Sequence, residues 1–409
     1  MALEALKCKE CQTTYPLEAR YVCDECFGPL EVAYDFSGLD ADSTRRRIQA
    51  GPRTIWRYAD FLPFEAAPRD TLGTGLTPLL RADRLAERLG LGEVWVKNDA
   101  ANPTHSFKDR VVTVALAKAK ELGYQVVACA STGNLANAVA AHAAAAGLDS
   151  YVFVPSDLEE QKILATGVYG TKLVAVKGNY DDVNRLCTEL SGERDWAFVN
   201  VNMRPYYSEG SKTVAYEVAE QLGWQLPDRI VVPIASGSLI TKIARGFEEW
   251  LEVGLVAGEL PTFNGAQAEG CSPVAQAFAA EREFCAPVKP DTIAKSLAIG
   301  DPADGPYALD LARRTGGGID AVTDEEIKAG IRLLAETTGI FTETAGGVTT
   351  ATLAKLAERG DIGAGERVVL VITGEGLKTL DAVRGSFETI DVEPTTESFD
   401  AAVGVEAVA

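Results

Sequence analysis

The sequence lacks any run of about 18 uninterrupted apolar residues; even the alanine-rich stretch 135–146 is broken by Asn137 and His142. Its start, Met1-Ala2-Leu3-Glu4, has neither a basic segment nor an apolar run ahead of the first cysteine. A membrane span and a secretory signal are therefore not expected, and a cytoplasmic protein is. Positive charge is also short: 39 Lys plus Arg stand against 59 Asp plus Glu, a net charge of −20. A surface of that sign repels phosphate backbones and anionic lipid, so neither nucleic acid nor membrane is expected as a partner, and an anionic substrate needs a locally positive pocket. No G-x-G-x-x-G follows a strand with an acidic partner about 20 residues on. Glu209-Gly210-Ser211-Lys212-Thr213 imitates the end of a P-loop, but Ser211 stands where that loop needs glycine. Histidine is nearly absent, with only His105 and His142. No repeat or low-complexity tract interrupts the chain.

What is present is a chain of 409 residues, 46% hydrophobic and 24% charged, the balance of a soluble globular protein. At roughly 150 residues per domain it holds two or three. Four of its eight cysteines stand in the first 26 residues as Cys8-x2-Cys11-x11-Cys23-x2-Cys26, with Gly28-Pro29 behind the second hook. Two such hooks on tight turns place four thiolates around one zinc ion, and with four protein ligands the metal is structural. Disulfides or free thiols are the alternative, disfavoured in the cytosol. The knuckle carries few basic residues, Lys7, Lys9 and Arg20, which favours a scaffold over a nucleic-acid module. Cys129, Cys187, Cys271 and Cys285 are scattered and read as core residues.

From residue 94 onward strands and helices alternate. Strands are expected at 94–97, 125–130, 151–155, 171–176, 229–235 and 367–373. Helices are expected after Ser106, where Asp109 three residues on suggests a capping box, and near 135–146, 159–166 and 180–190. This rhythm predicts an α/β fold of two lobes, each with a mostly parallel sheet flanked by helices, and a ligand cleft beyond the carboxyl ends of strands.

The strand ends carry the chemistry. Lys108, in Asn102-Pro103-Thr104-His105-Ser106-Phe107-Lys108-Asp109-Arg110, follows a helix start, where the helix dipole disfavours the ammonium form and leaves the amine available for Schiff-base chemistry. Ser131-Thr132-Gly133-Asn134 ends one strand in a cradle of donors suited to a carboxylate. Ser236-Gly237-Ser238-Leu239 ends another in a cradle suited to a phosphate, and Thr373-Gly374-Glu375-Gly376-Leu377-Lys378 ends a third.

These motifs, with the Ser-Thr-Gly-Asn turn about 25 residues after the lysine, resemble those of fold-type II pyridoxal-phosphate enzymes, and among them the threonine synthases, over residues 70–385. An N-terminal four-cysteine knuckle also occurs in some threonine synthases. The resemblance implies that Lys108 holds the cofactor covalently and then moves protons, and that Asn134 bonds the cofactor's 3′-oxygen. It implies that Ser131 and Thr132 face the substrate carboxylate, that Ser236, Gly237, Ser238 and Leu239 bind the cofactor phosphate, and that Thr373 meets the pyridine nitrogen. The implied reaction takes O-phospho-L-homoserine and water to L-threonine and phosphate by γ-elimination and β-addition, a carbon–oxygen lyase acting on phosphates. Residues 1–35 then form the zinc knuckle, 36–97 and 197–390 the large cofactor-binding lobe, 98–196 the small lobe, and 391–409 a flexible acidic tail. A homodimer follows by analogy.

The sequence departs from the family pattern where substrate phosphate is met. Leu135 stands where a hydroxyl residue is common, and the arginine of Asn-Ser-Val-Asn-Pro-x-Arg is displaced in Asn200-Val201-Asn202-Met203-Arg204-Pro205-Tyr206-Tyr207. Arg204, Asn202 and Lys212 are the expected substitutes, since a dianion entering an acidic protein needs a fixed cation. Thr379-Leu380 replaces the usual Asp-Pro after Lys378. Sister activities on the same scaffold, a cysteate synthase or a threonine dehydratase, are the alternatives.

Overall fold

The computed structural model describes residues 2–69, 72–178 and 180–404. Its strands, in chain order, are β1 (Ala2–Cys8), β2 (Thr14–Tyr15), β3 (Leu30–Asp35), β4 (Leu79–Arg81), β5 (Glu93–Asn98), β6 (Val126–Ala130), β7 (Asp149–Pro155), β8 (Lys172–Val176), β9 (Ala197–Phe198), β10 (Arg229–Pro233), β11 (Thr262–Ala268), β12 (Gly318–Val322) and β13 (Arg367–Ile372). They form three sheets. A small antiparallel one is ordered β2-β1-β3, a six-stranded one β12-β11-β10-β13-β5-β4, and a four-stranded one β8-β7-β6-β9. The four-stranded sheet is wholly parallel, and in the six-stranded sheet only the edge strand β4 runs antiparallel. The α/β class with two parallel-rich sheets holds.

The central strands are apolar on both faces because helices cover both. In β13, Val368, Leu370 and Ile372 enter one core cluster, while Val369 and Val371 enter another around Trp250 and Tyr216. Strand β10 alternates the same way, with Ile230 and Val232 opposite Val231.

Topology places the cleft. In the six-stranded sheet β10, β11 and β12 build outward one way while β13 and β5 lie on the other side, so the order reverses between β10 and β13. In the four-stranded sheet it reverses between β6 and β9. Connections leave such neighbouring strands in opposite directions and open a crevice at their carboxyl ends. The turns after β6, β9, β10 and β13 carry Ser131–Asn134, Arg204, Ser236–Leu239 and Thr373.

Several sequence expectations are corrected. The small lobe does not end at 196, because β9 pairs with β6 through Val127–Ala197 and Ala128–Phe198. The capping box at Ser106 is absent: the helix Lys108–Glu121 starts without a side-chain cap. Asp109 instead accepts from the Thr104 backbone N–H (2.8 Å) and hydroxyl (2.9 Å). In the segment read as a tail, Thr396–Val403 is helical, started by the Thr395 side chain accepting from the Ser398 N–H and ended by Gly404 in the left-handed region, with none of its residues buried. Strands β4, β11 and β12 were not anticipated.

Candidate active site

The four cysteines come together. Their Sγ atoms all lie within 4.8 Å of one another, with Cys8–Cys26 and Cys11–Cys23 each at 3.5 Å. Those separations are far too long for disulfides and close to the roughly 3.8 Å edge of a tetrahedron with zinc–sulfur bonds of 2.3 Å. Each hook folds alike. The N–H of Cys8 donates to Thr13 O and that of Gln12 to Cys8 O; the N–H of Cys23 donates to Gly28 O and that of Phe27 to Cys23 O. A Cβ at Gly28 would stand 3.0 Å from Cys8 Sγ and 3.2 Å from Cys26 Sγ, so glycine keeps the pocket open for sulfur. The donor set therefore fits a tetrahedral soft metal.

The knuckle sheet rests on helices that border the cleft. Tyr34 donates to Glu209 (2.6 Å), the Tyr206 hydroxyl donates to Glu18 O (3.0 Å), and Glu31 pairs with Lys242 (3.0 Å). Tyr206 and Glu209 belong to the helix Arg204–Glu209, and Lys242 to the helix Ser238–Val253.

Lys108 stands at the first position of its helix, which is pinned to the other lobe: the Phe107 N–H donates to Thr373 O (2.9 Å), and Ser106 bridges Gly374. Two residues on, the guanidinium of Arg110 is wholly buried, forked to Asp99 (2.7 and 2.8 Å) and to Glu217 (2.5 and 2.7 Å), while Lys97 adds a 2.6 Å bond to Glu217. On the far side His142 holds Asp109 at 2.8 Å. His142 is thus a packed residue, whereas His105 is exposed. Lys108 itself is half-buried, and its Nζ donates to the Tyr207 hydroxyl at 3.1 Å.

Around this amine the strand-end motifs converge. Thr373 Oγ1 lies 3.3 Å from Glu343 Oε1, and Asn134 donates to Glu343 Oε2 at 2.9 Å. Asn134 Oδ1 accepts from Lys378 Nζ at 2.8 Å, which places the lysine whose context departs from the family pattern inside the site. Burial pushes the Glu343 carboxyl up and the Lys378 amine down. Ser131 is buried, with its hydroxyl accepting from the Gly133 N–H, and Thr132 is half-buried beside it.

The second cradle begins at Gly237, whose φ of +96° and a Cβ position only 2.6 Å from Asp304 O admit no side chain. At the start of the helix Ser238–Val253 behind it, the Ser238 N–H donates to Ser236 Oγ at 3.4 Å, and the positive end of the dipole faces the turn. Opposite, Arg204 pairs with Asp304 at 3.0 Å. The hydroxyl of Ser106, fully buried two residues before Lys108, has no hydrogen-bond partner among the described residues. An amine, a helix N-terminus, a cradle kept bare by glycine and a buried hydroxyl suit a flat phosphorylated aldehyde, so the residues fit pyridoxal phosphate.

Two expected substrate contacts are turned elsewhere. Asn202 accepts from the Phe198 N–H (2.8 Å) and donates to Trp196 O (3.0 Å), which spends its amide on the turn after β9. Lys212 is fully buried beneath Tyr34, bonded to Glu209 (2.6 Å) and Glu249 (3.0 Å), and cannot reach a ligand. Glu343 and Asp304 are not singled out by the sequence, whereas Tyr207, which stands where the displaced arginine is usual, bonds Lys108. Glu343 precedes a run of small residues and Asp304 lies in an irregular segment, so neither has a spacing signal.

The chain belongs to the pyridoxal-phosphate dependent enzyme family, which it matches over residues 71–374. It is 41% identical to a threonine synthase of Methanocaldococcus jannaschii over 95% of this chain and 96% of that one. A threonine synthase of Methanosarcina acetivorans is 39% identical over 95% of both chains. Among solved structures, the processed form of threonine deaminase isoform 2 from Solanum lycopersicum superposes with a TM-score of 0.65 at 21% identity, covering 85% of this chain and 94% of that one. Maize serine racemase superposes at 0.63 with 20% identity, covering 82% and 93%. At those identities the superpositions establish the fold.

Proposed function

We propose that the chain is a threonine synthase, converting O-phospho-L-homoserine and water to L-threonine and phosphate. The observation that supports the reading is the placement of Lys108 at a helix start bonded to the end of β13 through Phe107–Thr373, with its Nζ on Tyr207 of the helix that follows β9. When bound, pyridoxal phosphate delocalises the charge left as protons depart from the α- and β-carbons of an amino acid.

The chain's own residues supply the rest. Lys108 would hold the cofactor and move protons beside the substrate, with the Tyr207 hydroxyl 3.1 Å from its nitrogen. Ser236, Gly237, Ser238 and Leu239 hold the cofactor phosphate by backbone N–H groups at the helix terminus. Asn134, which bonds Glu343 and Lys378, would hold the cofactor's 3′-oxygen, and Thr373 would meet its ring nitrogen. Ser131 and Thr132 take the substrate carboxylate. Arg204, partly exposed at the start of the helix bearing Tyr207 and paired with Asp304 beside the Gly237 turn, takes the substrate phosphate. Cys8, Cys11, Cys23 and Cys26 hold a structural zinc ion, and a cytoplasmic homodimer completes the reading.

The test is phosphate release and product mass with O-phosphohomoserine, phosphoserine plus sulfite, and threonine as substrates. Threonine formation from the first supports the assignment. Turnover of only the second or third replaces it with the cysteate synthase or dehydratase reading. Arg204→Ala is expected to raise KM for phosphohomoserine about a hundredfold, as charge-assisted contacts of about 2–3 kcal/mol imply; an unchanged KM removes Arg204 from the role.

A further inference from the structure

Asp304 puts a carboxylate where the proposed reaction needs to receive a dianion. Its position is set by the backbone: its N–H donates to Ser236 O at 2.8 Å, and its carbonyl lies against Gly237, so it is fastened to the cradle turn itself. It precedes the helix Gly305–Arg314 but its side chain makes no capping bond there. The carboxylate is instead directed across the cleft to Arg204, at 3.0 Å, with side-chain exposures of 12% for the aspartate and 29% for the arginine. Arg204 in turn begins the helix whose Tyr207 touches Lys108. The pair therefore links the helix whose Tyr207 bonds Lys108 to the turn at Ser236 and Gly237. It is not locked in: Lys212 and Arg110, by contrast, are wholly buried among their carboxylates.

We propose that Asp304 is the exchange partner of Arg204, an intramolecular anion that the substrate phosphate displaces on binding and that reclaims the guanidinium when inorganic phosphate departs. The inference rests on the reading of Arg204 as the phosphate-binding cation. Its physical content is competition. One guanidinium cannot be fully paired with a carboxylate and a phosphate dianion in the same direction, and two anions crowded on it repel each other. Asp304 thereby lowers the affinity of the free site for inorganic phosphate and supplies a ready counter-charge on release. It is a positioning residue, acting through Arg204. No bond to phosphorus is made or broken in the exchange; only the ion pairs change partners.

The experiment is calorimetric titration of the holoenzyme with inorganic phosphate, run on wild type, Asp304→Asn, Asp304→Ala, Arg204→Ala and the Arg204→Ala/Asp304→Asn double variant. Cofactor absorbance and thermal melting check that each is folded. Asp304→Asn is expected to tighten phosphate binding about fivefold, the upper end for a part-exposed ion pair. It should also lower KM for the phosphorylated substrate and lower kcat, because release slows. A merely structural role would weaken binding. The tightening must disappear in the double variant. Unchanged or weaker phosphate binding in both folded Asp304 variants overturns the proposal, as does tightening that survives loss of Arg204. Loss of phosphate affinity in Arg204→Ala with no change in the Asp304 variants overturns the exchange alone, whereas unchanged affinity in Arg204→Ala overturns the Arg204 reading beneath it.

Discussion

Replacing Arg110 by Met tests how the amine is held in place. Arg110 is fully buried two residues from Lys108 and satisfies Asp99 and Glu217, with Lys97 sharing Glu217. Two cations and two carboxylates sum to zero; without Arg110 the cluster carries one uncompensated negative charge in the interior. Breaking a buried pair this way costs about 3–5 kcal/mol, several times the worth of a surface bridge. The pH dependence follows from Glu217. Burial alone would raise its carboxyl, but the charges of Arg110 and Lys97 outweigh that and hold it at about 2, against 4.5 in the unfolded chain. This stabilisation is complete above pH 4.5 and is lost as pH falls toward 2, so Glu217 leaves wild-type stability flat between pH 7 and 5. In Arg110→Met a buried carboxyl takes up a proton far earlier, so the deficit is expected to shrink between pH 7 and 5. Urea unfolding at the two pH values, followed by cofactor absorbance and far-ultraviolet circular dichroism, measures both effects. Arg110→Lys, which restores charge without the fork, should fall between. A loss below about 1 kcal/mol, or an equal loss at both pH values, would refute the reasoning.

Other consequences can be read the same way. Gly237→Ala must place a Cβ at φ +96° and 2.6 Å from Asp304 O, so it should cost about 1–3 kcal/mol and weaken cofactor binding at least tenfold, as followed by absorbance titration. Cys8→Ser removes one of four thiolates; metal content by atomic absorption should drop from one per chain, and limited proteolysis should open the two cysteine hooks before the rest, because the metal holds those turns whereas Leu6, Leu30 and Val32 remain buried in the core behind them.

The pattern of the fold was legible where periodicity is strong. Strands such as β13, apolar on both faces, and the alanine-rich helix Asn134–Ala146 announce a parallel sheet and its covering. Short or polar strands were not: β9 has two residues, β4 has three, and β11 reads Thr-Phe-Asn-Gly-Ala-Gln-Ala, so their pairing comes from tertiary packing. In the site, motifs that need a glycine turn or a helix start stood out, as did the cysteine hooks. What escaped was partnership across long separations. Lys212 looked available next to Gly210-Ser211, yet its burial depends on Glu249 thirty-seven residues on, and Glu343 acquires meaning only from Asn134 and Thr373. Ser106 and Asp109 had the right spacing for a cap, but Thr104 and His142 compete for Asp109 and win.

The most direct test of the account is borohydride reduction of the purified holoenzyme followed by peptide mass analysis. The protein should be yellow, and reduction should fix one pyridoxyl group per chain on Lys108, with Lys108→Ala fixing none. A colourless protein reconstituted with excess cofactor, or a label on Lys378, Lys97 or any other lysine, would contradict the claim that Lys108 is the amine around which the two lobes assemble the site.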